Sequence, residues 1–288
     1  MNALLAHGGV RADRLLEAKG GVRIHALQAG RGETMVLLHG AGGGAANWFG
    51  IMQPLSAAFR VLAPDLPGFG FSPPLDVMPP LGSAVAGAVL RWLDARGEGD
   101  VHLVGTSLGG LIALRLAQQA AERVKSLTII DAAGLGAEVP LLVRLGTLPP
   151  LRGFAGSSSR AGLRFFFERY LTASALPAER RRLLLDYIRA SARAGGNETL
   201  IANLPRFATM RGQSEVLSDQ ELRAVRTPTL VLWGERDRFI PVAHGYHAAR
   251  FLPNVNVCVV PGSGHSPNWE MPAEVVRAIL GFAAPSPA

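Results

Sequence analysis

The chain has almost no cysteine and very little lysine. Its one cysteine, Cys258, excludes an internal disulfide and a metal site built from several thiolates, and the apolar run 255–260 around it is typical of a buried strand. Only Lys19 and Lys125 are lysines among 29 basic residues. The arginines are scattered along the chain, whereas nucleic-acid binders usually gather basic side chains on one face. The net charge of +7 therefore does not indicate nucleic-acid binding.

Long apolar runs are also missing. The segment 1–21 has neither a basic start nor a continuous apolar stretch, so no signal peptide is expected. No run approaches the roughly 20 apolar residues that span a bilayer. Hydrophobic residues make up 48% of the chain, enough for a large core. We expect a soluble, cytoplasmic protein that is a monomer or a homodimer, without a membrane span.

Short apolar runs alternate with helical patterns along most of the chain. Strands are predicted at 22–29, 34–38, 60–63, 100–104, 124–130, 229–233 and 255–260, and helices at 49–59, 81–95, 108–121, 242–251 and 272–283. This alternation predicts an α/β fold with a mainly parallel sheet covered by helices on both faces.

The alternation breaks between the two halves of the predicted sheet. From about residue 134 to 221 there is no convincing strand, and helices are predicted at 139–145, 161–171, 177–194 and 198–210. We therefore divide the chain into a core, residues 1–133 and 222–288, and a helical cap, residues 134–221. Such an insertion would lie over the carboxyl ends of the strands, where open α/β sheets bind ligands.

The segment Gly105-Thr-Ser-Leu-Gly109 matches the pattern G-x-S-x-G. It follows one predicted strand and precedes a predicted helix, as a nucleophile elbow requires. Small residues on both sides allow close approach of neighbouring backbones, and a helix N-terminus favours developing negative charge. Ser107 is the candidate nucleophile, with an ordinary helix cap as the alternative.

A serine hydroxyl needs a base, and His265 is the best placed of seven histidines. It lies in a flexible loop after the last strand, where its side chain can reach the carboxyl edge of the sheet. His102 lies within a strand, and His39 is expected to shape the turn after the second strand. No pair of histidines has a convincing zinc spacing with a third ligand, so no metal site is expected.

The acid that orients the histidine should follow a strand. Asp237 does so in the loop after 229–233, and the order Ser, Asp, His is that of the α/β-hydrolases. Glu235 in the same loop and Asp131 at the end of the preceding strand remain alternatives.

The glycine-rich turn 38–44 after the second strand predicts an oxyanion hole. Ala41, or else Gly42, would offer one backbone N–H, and Leu108 the other. The turn lacks the Gly-Lys-Ser/Thr ending of a phosphate-binding loop.

These motifs together resemble the α/β-hydrolase superfamily over nearly the whole chain. The matching features are the His39-Gly40 turn, the segment 64–72, the Ser107 elbow, the Asp237 loop and the Gly264-His265 loop. The resemblance implies an eight-stranded, mostly parallel sheet with a helical cap after its sixth strand. It also implies acyl transfer to water through a covalent Ser107 ester.

The expected function is hydrolysis of a carboxylic ester of a small, largely apolar molecule, with no cofactor. Candidate pocket residues are the aromatic side chains Trp48, Phe71, Phe166, Phe207 and Trp269. Two alternatives stay open. The glycine-rich turn is similar to that of carbon–carbon-bond hydrolases acting on ring-cleavage dienoates, although Thr106 and Leu108 depart from their Asn-Ser-Met elbow. The segment 133–136 is similar to acyltransferase-like members.

Overall fold

The computed structural model describes residues 1–19, 21–75, 80–151, 160–191 and 197–283. Eight of the strands within these ranges form one sheet. They are β1 (Asp13–Lys19), β2 (Val22–Ala29), β3 (Thr34–Leu38), β4 (Arg60–Pro64), β5 (Val101–Thr106), β6 (Val124–Ile130), β9 (Thr229–Gly234) and β10 (Val255–Val260). A separate hairpin contains β7 (Ala208–Thr209) and β8 (Gly212–Gln213).

The sheet has the order β1-β2-β4-β3-β5-β6-β9-β10. The strand β2 pairs antiparallel with both β1 and β4. The other six strands of the sheet run parallel to one another: β4, β3, β5, β6, β9 and β10. The prediction of an eight-stranded, mostly parallel sheet with a helical insertion after its sixth strand is confirmed.

Helices cover both faces of this sheet and form most of the insertion. The helices within the described ranges are Asn2–His7, Met52–Leu55, Leu81–Ala95, Leu108–Gln119, Leu141–Leu145, Arg160–Phe166, Ala178–Ser191, Asn197–Phe207, Asp219–Ala224, Ala243–Ala249, Pro267–Glu270 and Pro272–Phe282. Short 3-10 turns occur at Ala45–Trp48, Ala121–Arg123 and Pro149–Leu151, and a π-helical turn at Phe167–Leu171. In the part of the chain that is described, no helix is long and apolar enough to cross a membrane.

Alternate residues of the central strands belong to two different cores. In β3, Val36 and Leu38 join the core packed against the helices 81–95 and 108–119. Met35 and Leu37 point to the opposite face and join the core that contains Trp48 and the helix 272–282. Because both faces are covered, these strands are continuous apolar runs in the sequence.

Three expectations differ from the structure. The strand β1 was not predicted, because it is an exposed edge strand without an apolar face, and its Leu16 is 69% exposed. The insertion was predicted to lack strands, but residues 208–213 form the β7-β8 hairpin. Cys258 is half-buried and not buried, because β10 ends the sheet and has only β9 as a strand partner.

The boundaries of helices differ by a few residues. Within the predicted helix 49–59 only Met52–Leu55 is helical, and the 3-10 turn Ala45–Trp48 precedes that span. The end of the predicted helix 177–194 lies outside the described residues. The predicted boundary between cap and core at 221/222 falls inside the helix Asp219–Ala224, which a capping box of Ser218 and Glu221 begins. The division into core and cap stays a prediction.

Candidate active site

The carboxyl ends of the parallel strands lie side by side. Leu38 in β3 pairs with Gly105 in β5, and Thr106 pairs with Ile130 in β6. Ile130 pairs in turn with Leu232 in β9. The residues that follow these strands therefore meet at one edge of the sheet, although they are far apart in the sequence.

Ser107 occupies a strained turn between β5 and the helix Leu108–Gln119. Its φ of 53° and ψ of −119° are sparsely populated for a residue with a side chain, a conformation that costs about 1–3 kcal/mol. The Ser107 N–H donates to the carbonyl oxygen of Ile130 at 2.9 Å, and its carbonyl accepts from the N–H groups of Gly110 and Ala133. This geometry holds a half-buried side chain at the start of a helix, as in a nucleophile elbow.

The two flanking glycines are required by packing. A Cβ atom at Gly105 would lie 2.2 Å from the carbonyl oxygen of Gly109. A Cβ atom at Gly109 would lie 2.0 Å from the carbonyl oxygen of Leu38. No side chain fits at these separations, so the turn can pass between β3 and its own helix only with glycine at both positions.

His265 and Asp237 form a buried pair at the same edge. The His265 Nδ1 lies 2.7 Å from Asp237 Oδ2, and the two residues are 4% and 9% exposed. The other oxygen of Asp237 accepts from the N–H groups of Phe239 at 2.7 Å and Ile240 at 2.9 Å. The Asp237 carboxylate is thereby fixed, and with it the orientation of the imidazole ring.

Asp131 lies next to this pair. Oxygen atoms of Asp131 and Asp237 and a ring nitrogen of His265 all lie within 4.8 Å of one another. Two ligands of a tetrahedral zinc ion, each at about 2.0–2.1 Å from it, are about 3.4 Å apart. The separation of 2.7 Å between His265 and Asp237 is instead that of a hydrogen bond. We interpret the cluster as a hydrogen-bonded one.

The other competitor for the acid role lies outside this cluster. The Glu235 side chain is 53% exposed, and its Oε2 accepts a hydrogen bond from the N–H of Gly262 at 2.8 Å. That contact fixes the start of the His265 loop at the protein surface. Glu235 therefore does not contact the imidazole ring of His265.

The glycine-rich turn after β3 packs against Ser107. A Cβ atom at Gly40 would lie 3.1 Å from Ser107 Cβ and 3.7 Å from Ser107 Oγ. Ala41 and Gly42 follow directly, and the φ of Gly42 is +72°. The N–H of Leu108 is in the first turn of its helix, where it has no intrahelical acceptor. Ala41 follows Gly40 in this turn and Leu108 follows Ser107 in the elbow, and the oxyanion hole stays a prediction.

His39 shapes this turn from a fully buried position. Its Nδ1 bonds the carbonyl oxygen of Gly40 at 2.8 Å, and its Nε2 accepts from the N–H of Leu66 at 2.8 Å. Burial lowers the pKa of His39, although the nearby carboxylate of Asp65 opposes that effect. A neutral ring with its proton on Nδ1 satisfies both bonds, so His39 is a structural residue of the turn.

Asp65 is a site residue to which the sequence analysis assigned no role. Its Oδ1 accepts from the N–H of Ala45 at 2.6 Å, and its Oδ2 accepts from the N–H of Phe71 at 2.8 Å. Asp65 Oδ2 also lies 2.7 Å from Nδ1 of His25. The buried carboxylate therefore joins the glycine-rich turn to the segment after β4. Its position at the end of a strand was the available signal.

Glu270 is a second such residue, and it joins the His265 loop to the insertion. Its Oε1 accepts from the N–H of Gly264 at 2.8 Å and from the hydroxyl of Ser263 at 3.2 Å. Its Oε2 accepts from the N–H groups of Ala173 and Ser174 at 2.8 and 2.7 Å and from the Ser174 hydroxyl at 2.8 Å. These five hydrogen bonds hold the loop before His265 against the insertion.

Two of the predicted pocket residues lie near the edge of the sheet that carries Ser107 and His265. Phe207 lines a mainly apolar pocket together with Leu108. Its other lining residues are Leu66, Pro67, Phe69, Leu81, Val85, Ile112 and Asn203. The ring of Phe166 lies 5.8 Å from the ring of Phe239, which in turn lies 4.8 Å from the imidazole of His265.

The other three predicted pocket residues lie elsewhere. Trp48 is fully buried in the second core. Trp269 is also buried, stacks on Phe167 at 5.8 Å and donates its indole N–H to the carbonyl oxygen of Asn47. Phe71 is 58% exposed beside His25. Neither tryptophan presents its ring to the pocket beside Leu108.

A mostly parallel eight-stranded sheet with a serine elbow after β5 and a helical insertion after β6 is the architecture of an α/β-hydrolase. A family model described as the alpha/beta hydrolase fold matches residues 33–272. The chain therefore belongs to the α/β-hydrolase superfamily and is one of its enzymes.

Several known proteins are similar to this chain. The 2-hydroxy-6-oxo-6-phenylhexa-2,4-dienoate hydrolase of Burkholderia cepacia is 30% identical, over 91% of both chains. The dihydrolipoyllysine-residue acetyltransferase component of the acetoin cleaving system of Cupriavidus necator is 33% identical over 87% of this chain, which spans 63% of that protein. The crystal structure of carboxylesterase CesB from Bacillus subtilis covers 98% of this chain with a TM-score of 0.79 and 22% identity, and 95% of its own chain is covered.

Proposed function

We propose that the protein is a serine hydrolase that cleaves a carboxylic ester of a small, largely apolar molecule. Ser107 is the nucleophile, His265 the base and Asp237 the acid that orients it. The observation that carries this proposal is the convergence of a strained serine turn and a buried His–Asp pair at one edge of the sheet. Few structural roles require a strained serine and such a pair at the same edge of a sheet.

The proposed reaction begins when His265 takes the proton of the Ser107 hydroxyl as its oxygen attacks the ester carbonyl. The negative charge of the tetrahedral intermediate is held by the N–H groups of Ala41 and Leu108. His265 then gives its proton to the departing alcohol, which leaves an acyl ester on Ser107. A water molecule then gives a proton to His265 and attacks that ester, and His265 passes the proton to the Ser107 oxygen as the carboxylic acid leaves.

Asp237 is preferred over Asp131 and Glu235 as the acid because of its contact with the imidazole. Its oxygen is 2.7 Å from the Nδ1 of His265, so an N–H at that atom donates to the carboxylate. A carboxylate in this position fixes the tautomer with Nε2 free to act as base, and it stabilises the imidazolium that forms. The exposed Glu235 makes no such contact.

The pocket beside Leu108 supports an apolar substrate group. It is lined by aliphatic and aromatic side chains with Asn203 as a polar exception. Leu108 is also one of the two proposed oxyanion donors, so a group in this pocket would be next to the reacting carbonyl. An apolar lining of this kind suits an aliphatic or aromatic group of the substrate. We therefore propose that a small acyl or alcohol group of the substrate lies in this pocket.

Hydrolysis of a carbon–carbon bond is the second candidate. It is supported by the similarity to the Burkholderia cepacia dienoate hydrolase over 91% of both chains. Acyl transfer to an acceptor other than water is the third candidate, supported by the similarity to the Cupriavidus necator acetyltransferase component. All three reactions would use the same serine, histidine and acid, and the identity of the bond is decided by the pocket.

A parallel assay distinguishes these candidates. Wild type and Ser107→Ala are compared on p-nitrophenyl butyrate, on a vinylogous 1,5-diketone, and on the ester with an added alcohol or thiol acceptor. We expect ester turnover in wild type that Ser107→Ala loses, with a burst of p-nitrophenol if hydrolysis of the acyl-enzyme is slow. Turnover of the diketone with no ester turnover would instead establish the second candidate. The cytoplasmic location and the monomeric or homodimeric state stay predictions.

A further inference from the structure

Asp131 is a buried carboxyl group that the proposed reaction leaves without a role. It follows β6, has a φ of 46°, and is fully buried. Its Oδ1 accepts from the N–H of Gly234 at 2.8 Å. Its Oδ2 is also buried and has no hydrogen-bond partner among the described residues. An ionised carboxylate in this position would keep one oxygen desolvated and unpaired, which is costly.

The titratable groups that face Asp131 do not compensate a negative charge. Asp237 approaches from the loop after β9, His265 from the loop after β10, and Glu270 from the helix Pro267–Glu270. The Nδ1 of His265 is already bonded to Asp237. Burial first, and then the negative charges of Asp237 and Glu270, raise the pKa of Asp131 well above its usual range, although the hydrogen bond from the N–H of Gly234 opposes them.

The geometry points to Asp131 as a neutral carboxylic acid that donates a hydrogen bond to the Asp237 carboxylate. It is then a positioning residue, and this inference rests on the proposed function because Asp237 is the acid proposed there. The proton sits between two oxygens that would otherwise repel each other. Each oxygen atom of Asp131 then has a hydrogen-bond partner, either the N–H of Gly234 or the carboxylate of Asp237, and no buried oxygen is left unpaired.

This hydrogen bond would join the two halves of the site. Ile130, immediately before Asp131, accepts the hydrogen bond from the N–H of Ser107, and Ala133 donates to the carbonyl of Ser107. Asp131 therefore ties the Asp237 loop to the segment that holds the nucleophile. A donor to Asp237 also helps to hold its carboxylate against the ring of His265, where it stabilises the imidazolium.

The protonation of Asp131 can be tested without an activity assay. A pKa that is higher in the folded than in the unfolded protein stabilises the fold at low pH, and this stabilisation is lost as the pH rises through the folded-state value. Asp131→Asn cannot titrate and keeps both an acceptor and a donor. We expect the Tm of Asp131→Asn relative to wild type to rise by about 2 °C per pH unit in the range above about pH 4, the usual pKa of an aspartic acid. A Tm difference that stays flat in this range would overturn the inference.

The positioning role is tested by the rate of fluorophosphonate labelling and by ester kcat. We expect Asp237→Asn to lose about 10³- to 10⁴-fold and Asp131→Leu about tenfold or more, while Asp131→Asn recovers to within about threefold of wild type. Equal losses in Asp131→Asn and Asp237→Asn would make Asp131 an ionised acid and overturn the inference. Wild-type rates in Asp131→Leu would overturn it as well. An unreactive wild type would instead refute the proposed function, and the pH dependence of Tm would still report the proton on Asp131.

Discussion

The five hydrogen bonds of Glu270 give a prediction with a large expected effect. Glu270→Gln has the same shape, but one of its two side-chain oxygens becomes an NH2 group. If the remaining oxygen keeps the three donors from Ala173 and Ser174, the NH2 group faces the N–H of Gly264. One hydrogen bond to a charged acceptor is then lost, worth about 1.5–3 kcal/mol, and the other bonds lose the contribution of the charge.

We therefore expect Glu270→Gln to lower the free energy of unfolding by about 3 kcal/mol, which corresponds to a fall in Tm of about 5 °C. The fluorophosphonate labelling rate, measured well below that Tm, should fall by about tenfold because the His265 loop is no longer held. Glu235→Gln is the matched control. Its carboxylate also accepts one backbone N–H, from Gly262, but it is 53% exposed.

Scanning calorimetry and urea unfolding of both variants are the assays. We expect Glu235→Gln to change the free energy of unfolding by no more than about 0.5 kcal/mol. A Tm of Glu270→Gln equal to that of the control would refute the reasoning. It would mean that the five contacts of Glu270 are replaced by water without loss, and that the insertion does not depend on them for its position.

Two further predictions concern the elbow and the pocket. Gly109→Ala should destabilise the fold by about 3 kcal/mol or more in urea unfolding, because its Cβ would lie 2.0 Å from the carbonyl oxygen of Leu38. Gly281→Ala is the control, because Gly281 faces open space on the helix 272–282. This change should stabilise the fold by up to about 1 kcal/mol. Equal effects of the two changes would contradict the packing argument. Phe207→Trp should lower kcat/KM for p-nitrophenyl octanoate about tenfold more than for the acetate, because a larger ring fills the pocket beside Leu108. An unchanged ratio of octanoate to acetate turnover would place the acyl group elsewhere.

The sequence predicted the central strands well because they are buried on both faces. Such strands are continuous apolar runs, and those at 34–38 and 124–130 were found at the predicted bounds. The edge strand β1 escaped prediction because it has no buried face, and pairing with β2 is what makes it a strand. The β7-β8 hairpin has only two residues in each strand, too few for a periodic signal.

Those residues of the candidate site that belong to a short sequence motif, or to a loop directly after an apolar strand, could be predicted. The elbow around Ser107 has its own motif, and the loops of Asp237 and His265 follow apolar strands. Asp65 and Glu270 could not be assigned roles, because their hydrogen bonds go to backbone N–H groups that are distant in the sequence. The distance between Asp131 and the His–Asp pair also depends on strand order, which the sequence pattern does not contain.

The central claim is that Ser107 is a nucleophile activated by His265. Its most direct test is to react wild type, Ser107→Ala and His265→Ala with a fluorophosphonate and to measure intact mass and the labelled peptide. We expect one phosphonyl group on wild type, located on Ser107, no label on Ser107→Ala, and a rate at least about 10³-fold lower for His265→Ala. A wild type that remains unlabelled, or a Ser107→Ala variant labelled as fast as wild type, would contradict the account.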